Sequence, residues 1–158
     1  MTYLISPAEP TALKIKLAPL VKQLQAQWQP IEIRPIDQLQ RAYSLEWTIL
    51  INQRRLEGLL ERNGQSIVLD GQLSDCAQFA LWLRALIDPQ YQLFFYDQGY
   101  SADIELREGI TATEIVHRFS RWQTSEFPVF QLPFSPPKDT RPPAMPPHGS
   151  QLPGVVAI

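Results

Sequence analysis

Apolar residues near the start of the chain recur at the spacing of one helix face. They run from Leu13 to Trp28, and Pro30 ends the pattern. Pro19 lies inside it, and proline interrupts a helix except in the first turn. The pattern therefore predicts an amphipathic helix that is either kinked at Pro19 or begins late, near Leu17.

Three short segments read as strands because they are rich in β-branched, aromatic and other apolar residues. Tyr3 to Ile5 precedes the first helix, and Ile31 to Arg34 follows it. Ser44 to Ile51 is the longest of the three. A polar turn at Asn52-Gln53 comes after it.

A β-hairpin around Asn63-Gly64 is the strongest local signal in the sequence. The strands Leu56 to Arg62 and Gln65 to Asp70 flank this dipeptide, which is typical of a two-residue turn with positive φ at both positions. The register that follows puts Leu60 opposite Ile67, and it predicts a core-facing side made of Leu56, Leu60, Ile67 and Leu69.

Two further helices are predicted from capping residues followed by apolar stripes. Ser74 or Asp75 can cap a helix that runs through Ile87. The sequence Thr-Ala-Thr-Glu beginning at Thr111 is a capping box, and the helix after it ends near Trp122.

A second hairpin lies between these two helices. Tyr91 to Asp97 and Tyr100 to Arg107 are its strands, and Gln98-Gly99 is the predicted turn. Alternation along the strands predicts a second core-facing side, made of Leu93, Phe95, Ala102, Ile104 and Leu106.

The predicted fold class is α+β: an antiparallel or mixed sheet, built largely from two hairpins, with about three helices packed on it. Residues 1–126 are expected to form this single domain. Leu56 to Ile87 and Leu93 to Trp122 both read as strand, glycine turn, strand and capped helix, so a repeated ββα unit is a further hypothesis.

The composition changes after residue 126. Nine of the 15 prolines lie between Pro128 and Pro153. Four large apolar residues fall within residues 127–134, so we expect this bridge to pack on the domain or on a partner. Residues 135–158 are expected to form a disordered proline-rich tail.

Charge and cysteine content narrow the possible partners. The net charge of -2 offers no cluster of Lys and Arg that would attract phosphate backbones, so no nucleic-acid binding is expected. The single cysteine, Cys76, forbids an intramolecular disulfide and suits a reducing compartment. The N-terminus lacks a secretory pattern and no long apolar run exists, so we expect a cytoplasmic protein without membrane insertion.

Residues suited to catalysis are scarce. Of the two histidines, His148 falls in the tail and His117 lies on the polar face of a predicted helix. The seven glycines form no phosphate-binding loop. We therefore expect no cofactor, and an enzyme is the less favoured interpretation.

Aromatic residues of the second hairpin are the main candidate binding site. Phe94 and Tyr96 lie on the side away from the core, with Tyr100 and Trp47 expected nearby. An aromatic face of this kind binds a ligand or a partner protein. Alternatively, it is covered by the protein's own residues, which here include the bridge.

Acidic residues of the two hairpins are an alternative site. Glu57 is predicted to lie opposite Asp70 on the outer side of the first hairpin, and like charges so placed need an opposite charge nearby. A divalent cation bound by these oxygen ligands could supply it. Neighbouring arginines could do the same. Asp103 and Glu105 on the second hairpin are a separate acidic candidate for a metal.

These observations favour a non-catalytic interaction or adaptor protein that binds a protein partner and carries a flexible proline-rich tail. The alternative is a metal-dependent enzyme or small-ligand-binding domain that uses the acidic hairpin face.

Overall fold

A computed structural model describes residues 1–120 of the 158. Three helices are present, with α3 covering residues 112–120 of this part. The other elements, in chain order, are β1 (Thr2–Ser6), α1 (Leu17–Gln27), β2 (Glu32–Pro35), β3 (Tyr43–Ile51), β4 (Arg54–Glu61), β5 (Ile67–Asp70), α2 (Leu73–Leu86), β6 (Phe94–Asp97) and β7 (Asp103–Glu105).

The strands form one seven-stranded sheet in the order β2-β3-β4-β5-β1-β6-β7, and every pair is antiparallel. The predicted α+β class is confirmed. The N-terminal strand β1 joins the two hairpins, with Ile5 opposite Ile67 on one side and Phe95 on the other. This central position buries Tyr3 and Ile5 almost completely.

The first hairpin has the predicted register, with Leu60 opposite Ile67, and its four predicted core residues are all buried. Its turn differs from the prediction. Only Gly64 has positive φ (75°), and its N–H donates to the C=O of Glu61 at 2.9 Å. Asn63 instead uses its side-chain oxygen to accept from the Gln65 N–H. The loop is therefore longer than two residues.

The turn with positive φ at both central positions lies one connection earlier. Asn52 (φ 53°) and Gln53 (φ 66°) join β3 to β4, where Ile51 pairs with Arg54. A two-residue loop of this kind matches the twist of the strands that flank it.

The second hairpin is shorter than predicted. Its strands pair Phe95 with Ile104, and the loop between them spans residues 98–102. The Asp97 carboxylate holds this wider loop, because it accepts the backbone N–H groups of Ser101 at 2.8 Å and Ala102 at 3.1 Å.

Helix α1 begins at Leu17 and has Pro19 in its first turn, as the shorter of the two alternatives predicted. The predicted cap of α2 is wrong, because no side chain caps that helix. Asp75 is instead fully buried, and its carboxylate accepts from Arg54 at 2.8 and 2.9 Å and from Asn52 at 3.0 Å. A buried carboxylate needs such partners more than the helix end needs a cap.

The capping box of α3 is confirmed. The Glu114 N–H donates to the Thr111 hydroxyl at 3.1 Å, and the Thr111 N–H donates to the Glu114 carboxylate at 3.0 Å. The bond from the Thr111 N–H and the neighbouring Arg107 lower the pKa of the Glu114 carboxyl group below its usual value. The start of α3 is thereby fixed beside the second hairpin.

All three helices contribute side chains to one core on one face of the sheet. Burial raises the pKa of the Cys76 thiol to about 12, so this residue is an inert part of the core. Two aromatic clusters fill the core: Trp28, Trp47, Phe79 and Trp82 at one end, and Tyr3, Phe95 and Phe119 at the other.

Within residues 1–120, no helix has the length and apolar character needed to cross a bilayer. The predicted bridge and tail lie outside the described residues. The repeated ββα unit stays a prediction.

Candidate binding site

The face of the sheet opposite the helices carries a continuous apolar row. Cross-strand pairing aligns Leu59 with Val68, Val68 with Leu4, and Leu4 with Tyr96 across four neighbouring strands. We call these residues the outer row. The first three are half-buried and do not belong to the core beneath the helices. The outer row therefore forms a second apolar surface on the sheet.

A cleft of about 260 Å³ opens at the Tyr96 end of the outer row. Ser6 and Ser66 lie in it with their hydroxyl oxygens 2.7 Å apart. Gln65 fixes one wall, because its amide accepts the Thr11 N–H at 3.1 Å and donates to the Thr11 C=O at 3.0 Å. The lining residues are Leu4, Ser6, Pro7, Ala8, Glu9, Pro10, Asn63, Gln65, Ser66, Tyr96 and Tyr100.

Tyr100 stands at the rim of the cleft in an unusual backbone conformation. Its φ is 58°, its side chain is 41% exposed, and its ring meets that of Tyr96 edge-on with centroids 5.4 Å apart. Positive φ costs a residue with a side chain about 1 kcal/mol or more. Glycine avoids this cost.

The first hairpin has a glycine at the equivalent place. In each loop the N–H of the left-handed residue donates to a C=O three residues earlier: Tyr100 to Asp97 at 3.0 Å, and Gly64 to Glu61 at 2.9 Å. The sequence puts Gly99 one position too early to relieve the strain. A tyrosine therefore occupies a backbone conformation that glycine would adopt without strain.

Tyr96 forms the inner end of the cleft. It is 2% exposed, and burial, with smaller contributions from Asp103 and Tyr100, raises its pKa to about 12. The phenol is therefore neutral at physiological pH, so Tyr96 offers the cleft an aromatic surface without a charge.

Asp103 lies opposite Tyr96 on the edge strand β7. It is 7% exposed, and burial raises the pKa of its carboxyl group, against the effect of Arg118 at 3.8 Å. Arg118 also donates to the Asp103 C=O at 3.0 Å. Among the described residues, the Oδ2 atom of Asp103 has no hydrogen-bond partner.

The structure brings together three of the four predicted aromatic residues. The ring of Phe94 lies 6.1 Å from that of Tyr96, which in turn contacts Tyr100. Trp47 is not part of this group. It is 1% exposed on the core face and stacks on Phe79 with centroids 5.8 Å apart. Its alternation with the buried Leu45 and Ile49 was the signal for that placement.

Glu57 and Asp70 lie opposite each other, as the register predicted. Each has a cation of its own: Arg55 is 2.9 Å from Glu57, and the amino group of Met1 is 3.1 Å from Asp70. Arg62, which follows Glu57 on the same hairpin, donates to backbone carbonyls instead.

The acidic pair on the second hairpin shares one face of β7, with Asp103 opposite Tyr96 and Glu105 opposite Phe94. Glu105 accepts from the Gln92 amide at 3.0 Å. Over residues 1–120, no three His, Cys, Asp or Glu side chains come together in a way that could hold a metal ion.

Leu4, Ser6 and Ser66 line the cleft but were not predicted as site residues. Alternation around Tyr3 and Ile5 was the available signal, because it turns Leu4 and Ser6 away from the core. Their approach to Tyr96 depends on the pairing of β1 with β6, which no local pattern reveals.

These features define the chain as an α+β domain with helices on one face of an antiparallel sheet and an aromatic cleft on the other. No protein-family model, curated protein or solved structure matches it.

Proposed function

We propose that this protein is a non-catalytic interaction domain that binds an extended segment of a partner protein along the outer row. A large apolar or aromatic side chain of the partner enters the cleft beside Tyr96 and Tyr100. The observation that carries the proposal is the half-exposed Tyr100 ring, which is held at positive φ.

Backbone strain at a single residue persists when something compensates for it, and it concentrates at ligand-binding positions. Packing of Tyr100 on Tyr96 offsets part of the cost, but the ring stays 41% exposed. A partner that covered this ring would bury further aromatic surface, which is the main source of binding energy at protein interfaces.

The size of the cleft favours a protein partner over a metabolite. Pockets for small molecules enclose about 300–1,000 Å³ and bury most of the ligand. A volume of about 260 Å³ suits one large side chain, and the outer row extends the contact for the rest of the segment.

The lining of the cleft also supports a non-catalytic role. Glu9 is its one residue with an ordinarily charged side chain, and the phenol of Tyr96 stays neutral. General acid-base chemistry needs a group whose pKa lies near the working pH, within reach of the reacting atoms.

Substitution of Tyr100 by glycine tests the proposal. The variant removes the ring and relieves the strain, so the free energy of unfolding changes by no more than about 1 kcal/mol while partner binding weakens about tenfold or more. Partners are captured from a cell lysate on the immobilised full-length chain and identified by mass spectrometry. Each purified partner is then titrated against the native chain and Tyr100→Gly by calorimetry.

Leu39→Ala is the matched control, because Leu39 is an exposed apolar side chain that does not line the cleft. Its binding should equal that of the native chain. Equal affinities for native chain and Tyr100→Gly would contradict the proposal.

The single buried Cys76 supports a place in the reducing cytoplasm.

The tail is proposed to supply a second, flexible contact with the partner. Truncation after Trp122 tests the tail, since an unchanged set of partners would remove its role.

Saturable binding of Mg²⁺, Mn²⁺ or Ca²⁺ that is lost on Asp103→Ala or Asp70→Ala would favour the metal-dependent alternative instead.

A further inference from the structure

Strand β2 forms one edge of the sheet, at the opposite end from β7. Glu32, Arg34 and Pro35 are exposed there, and Ile33 is half-buried. An edge strand presents main-chain N–H and C=O groups that another strand can pair with. This edge is therefore accessible for pairing.

The ladder with β3 determines which groups point outward. The Ile36 N–H donates to the Ser44 C=O at 2.9 Å, and hydrogen-bonded positions alternate along an antiparallel pair. Arg34 and Glu32 consequently bond to β3. Ile33 and Pro35 direct their main-chain groups away from the sheet.

The connection that follows β2 is held in place by one arginine. The guanidinium of Arg62 donates to the C=O groups of Ile36 at 2.9 Å, Gln38 at 3.0 Å and Tyr43 at 2.9 Å. Because the edge is already ordered, pairing with it costs less conformational entropy than pairing with a free segment.

We propose that β2 pairs antiparallel with β2 of a second copy of this chain, about a two-fold axis at Ile33. The two Ile33 residues then exchange both of their main-chain hydrogen bonds. Ile31, just before the strand, donates its N–H to the C=O of the partner's Pro35. Proline has no N–H, so a position that only accepts suits it.

Charge selects this register. It places Glu32 opposite the partner's Arg34, and Arg34 opposite the partner's Glu32, on the same side of the sheet. A shift of two residues in either direction would instead align Glu32 with Glu32 or Arg34 with Arg34. Like charges directly opposite each other destabilise a strand pair, whereas opposite charges stabilise it.

Arg34 can reach this contact while it stays paired within its own chain. Its side chain is 76% exposed, and its guanidinium forms a long ion pair with Glu46 at 3.8 Å. A four-residue edge makes a small interface, so the dimer should dissociate on dilution, with a Kd of about 10–100 µM. The inference is independent of the proposed function, because β2 lies far from the cleft in strand order.

Sedimentation velocity of the full-length chain, from about 5 to 500 µM, tests the association. The native chain should change from monomer to dimer over this range. Glu32→Arg or Arg34→Glu alone should weaken dimerisation about tenfold or more, and the double exchange Glu32→Arg/Arg34→Glu should restore it to within about threefold.

Arg55→Glu serves as the control, since Arg55 is an exposed arginine of β4, away from the edge. It should dimerise like the native chain. A native chain that stays monomeric throughout, a dimer indifferent to the single reversals, or a double exchange as weak as the singles would each overturn the proposal.

Disulfide trapping tests the register separately. Opposite residues outside the hydrogen-bonded pairs have Cα atoms about 4.5 Å apart, which is within disulfide reach. Oxidation of Glu32→Cys mixed with Arg34→Cys should give the mixed dimer in excess over either homodimer. The native Cys76 is buried and does not interfere. Homodimers in equal yield would refute the register.

Discussion

Substitution of Gly58 by alanine should destabilise the protein through a single contact in the core. Gly58 lies in the middle of β4, directly opposite Trp47 on β3. A Cβ atom built on Gly58 would lie 2.2 Å from two carbons of the Trp47 indole ring. Ordinary contacts begin at about 3.4 Å, so the ring would have to retreat by 3.4 − 2.2 = 1.2 Å.

The ring has little room for such a movement. Trp47 is 1% exposed and stacks on Phe79 of α2. Overpacking of this kind costs about 1–3 kcal/mol, and alanine regains about 0.5 kcal/mol because glycine is poorly suited to a strand. The net loss should be about 1.5 kcal/mol, which is a shift of roughly 1 M in the midpoint of urea unfolding.

The assay is urea unfolding followed by circular dichroism, with two comparisons. Gly99→Ala is the matched control, because nothing lies within 4 Å of the added Cβ and its φ is not positive. That variant should match the native chain to within about 0.5 kcal/mol. In a Trp47→Leu background the Gly58→Ala change should cost less than about 0.5 kcal/mol, because the ring that it displaces is absent. An equal cost in both backgrounds would refute the explanation.

Two further predictions concern buried acids. Arg54→Ala should lower the free energy of unfolding in urea more than Asp75→Ala does, because it leaves the fully buried carboxylate of Asp75 with only the Asn52 amide as a side-chain partner among the described residues, whereas Asp75→Ala leaves a half-exposed arginine. The opposite order would contradict this assignment. Burial raises the pKa of Asp103 above its ordinary 3.8, so its contribution to stability is complete below that value and is lost as the pH rises through the folded-state pKa. Asp103→Asn should therefore gain stability relative to the native chain between about pH 3 and pH 7, and a difference that is constant with pH would exclude burial as the cause.

Local patterns predicted much of this fold. The register of the first hairpin and the capping box of α3 each follow from residues close together in the sequence, and both are confirmed. The position of β1 between the hairpins was not predictable in this way, because alternation around Tyr3 and Ile5 fits an edge strand as well as a central one. The outer row and its cleft exist only because of that long-range pairing.

Asp75 shows a second way in which local rules fail. An acidic residue near the start of a helix resembles a cap, yet its carboxylate turns toward the β3–β4 turn because Arg54 and Asn52 approach from there. Trp47 is a second example. Its ring lies in the core because Gly58, on the neighbouring strand, has no side chain to occupy that space. In both cases a partner distant in sequence decides where the side chain goes.

Tyr100 differs from these cases, because its ring stays 41% exposed although it packs on Tyr96. The chain meets the same backbone requirement with glycine at position 64, where no strain arises. The chain uses glycine for positive φ at position 64 but a tyrosine at position 100, and the tyrosine ring is not fully buried in return. We expect the free energy of binding to compensate for this backbone strain. This difference in residue type between two equivalent loop positions links the strain in the second hairpin to the cleft beside it.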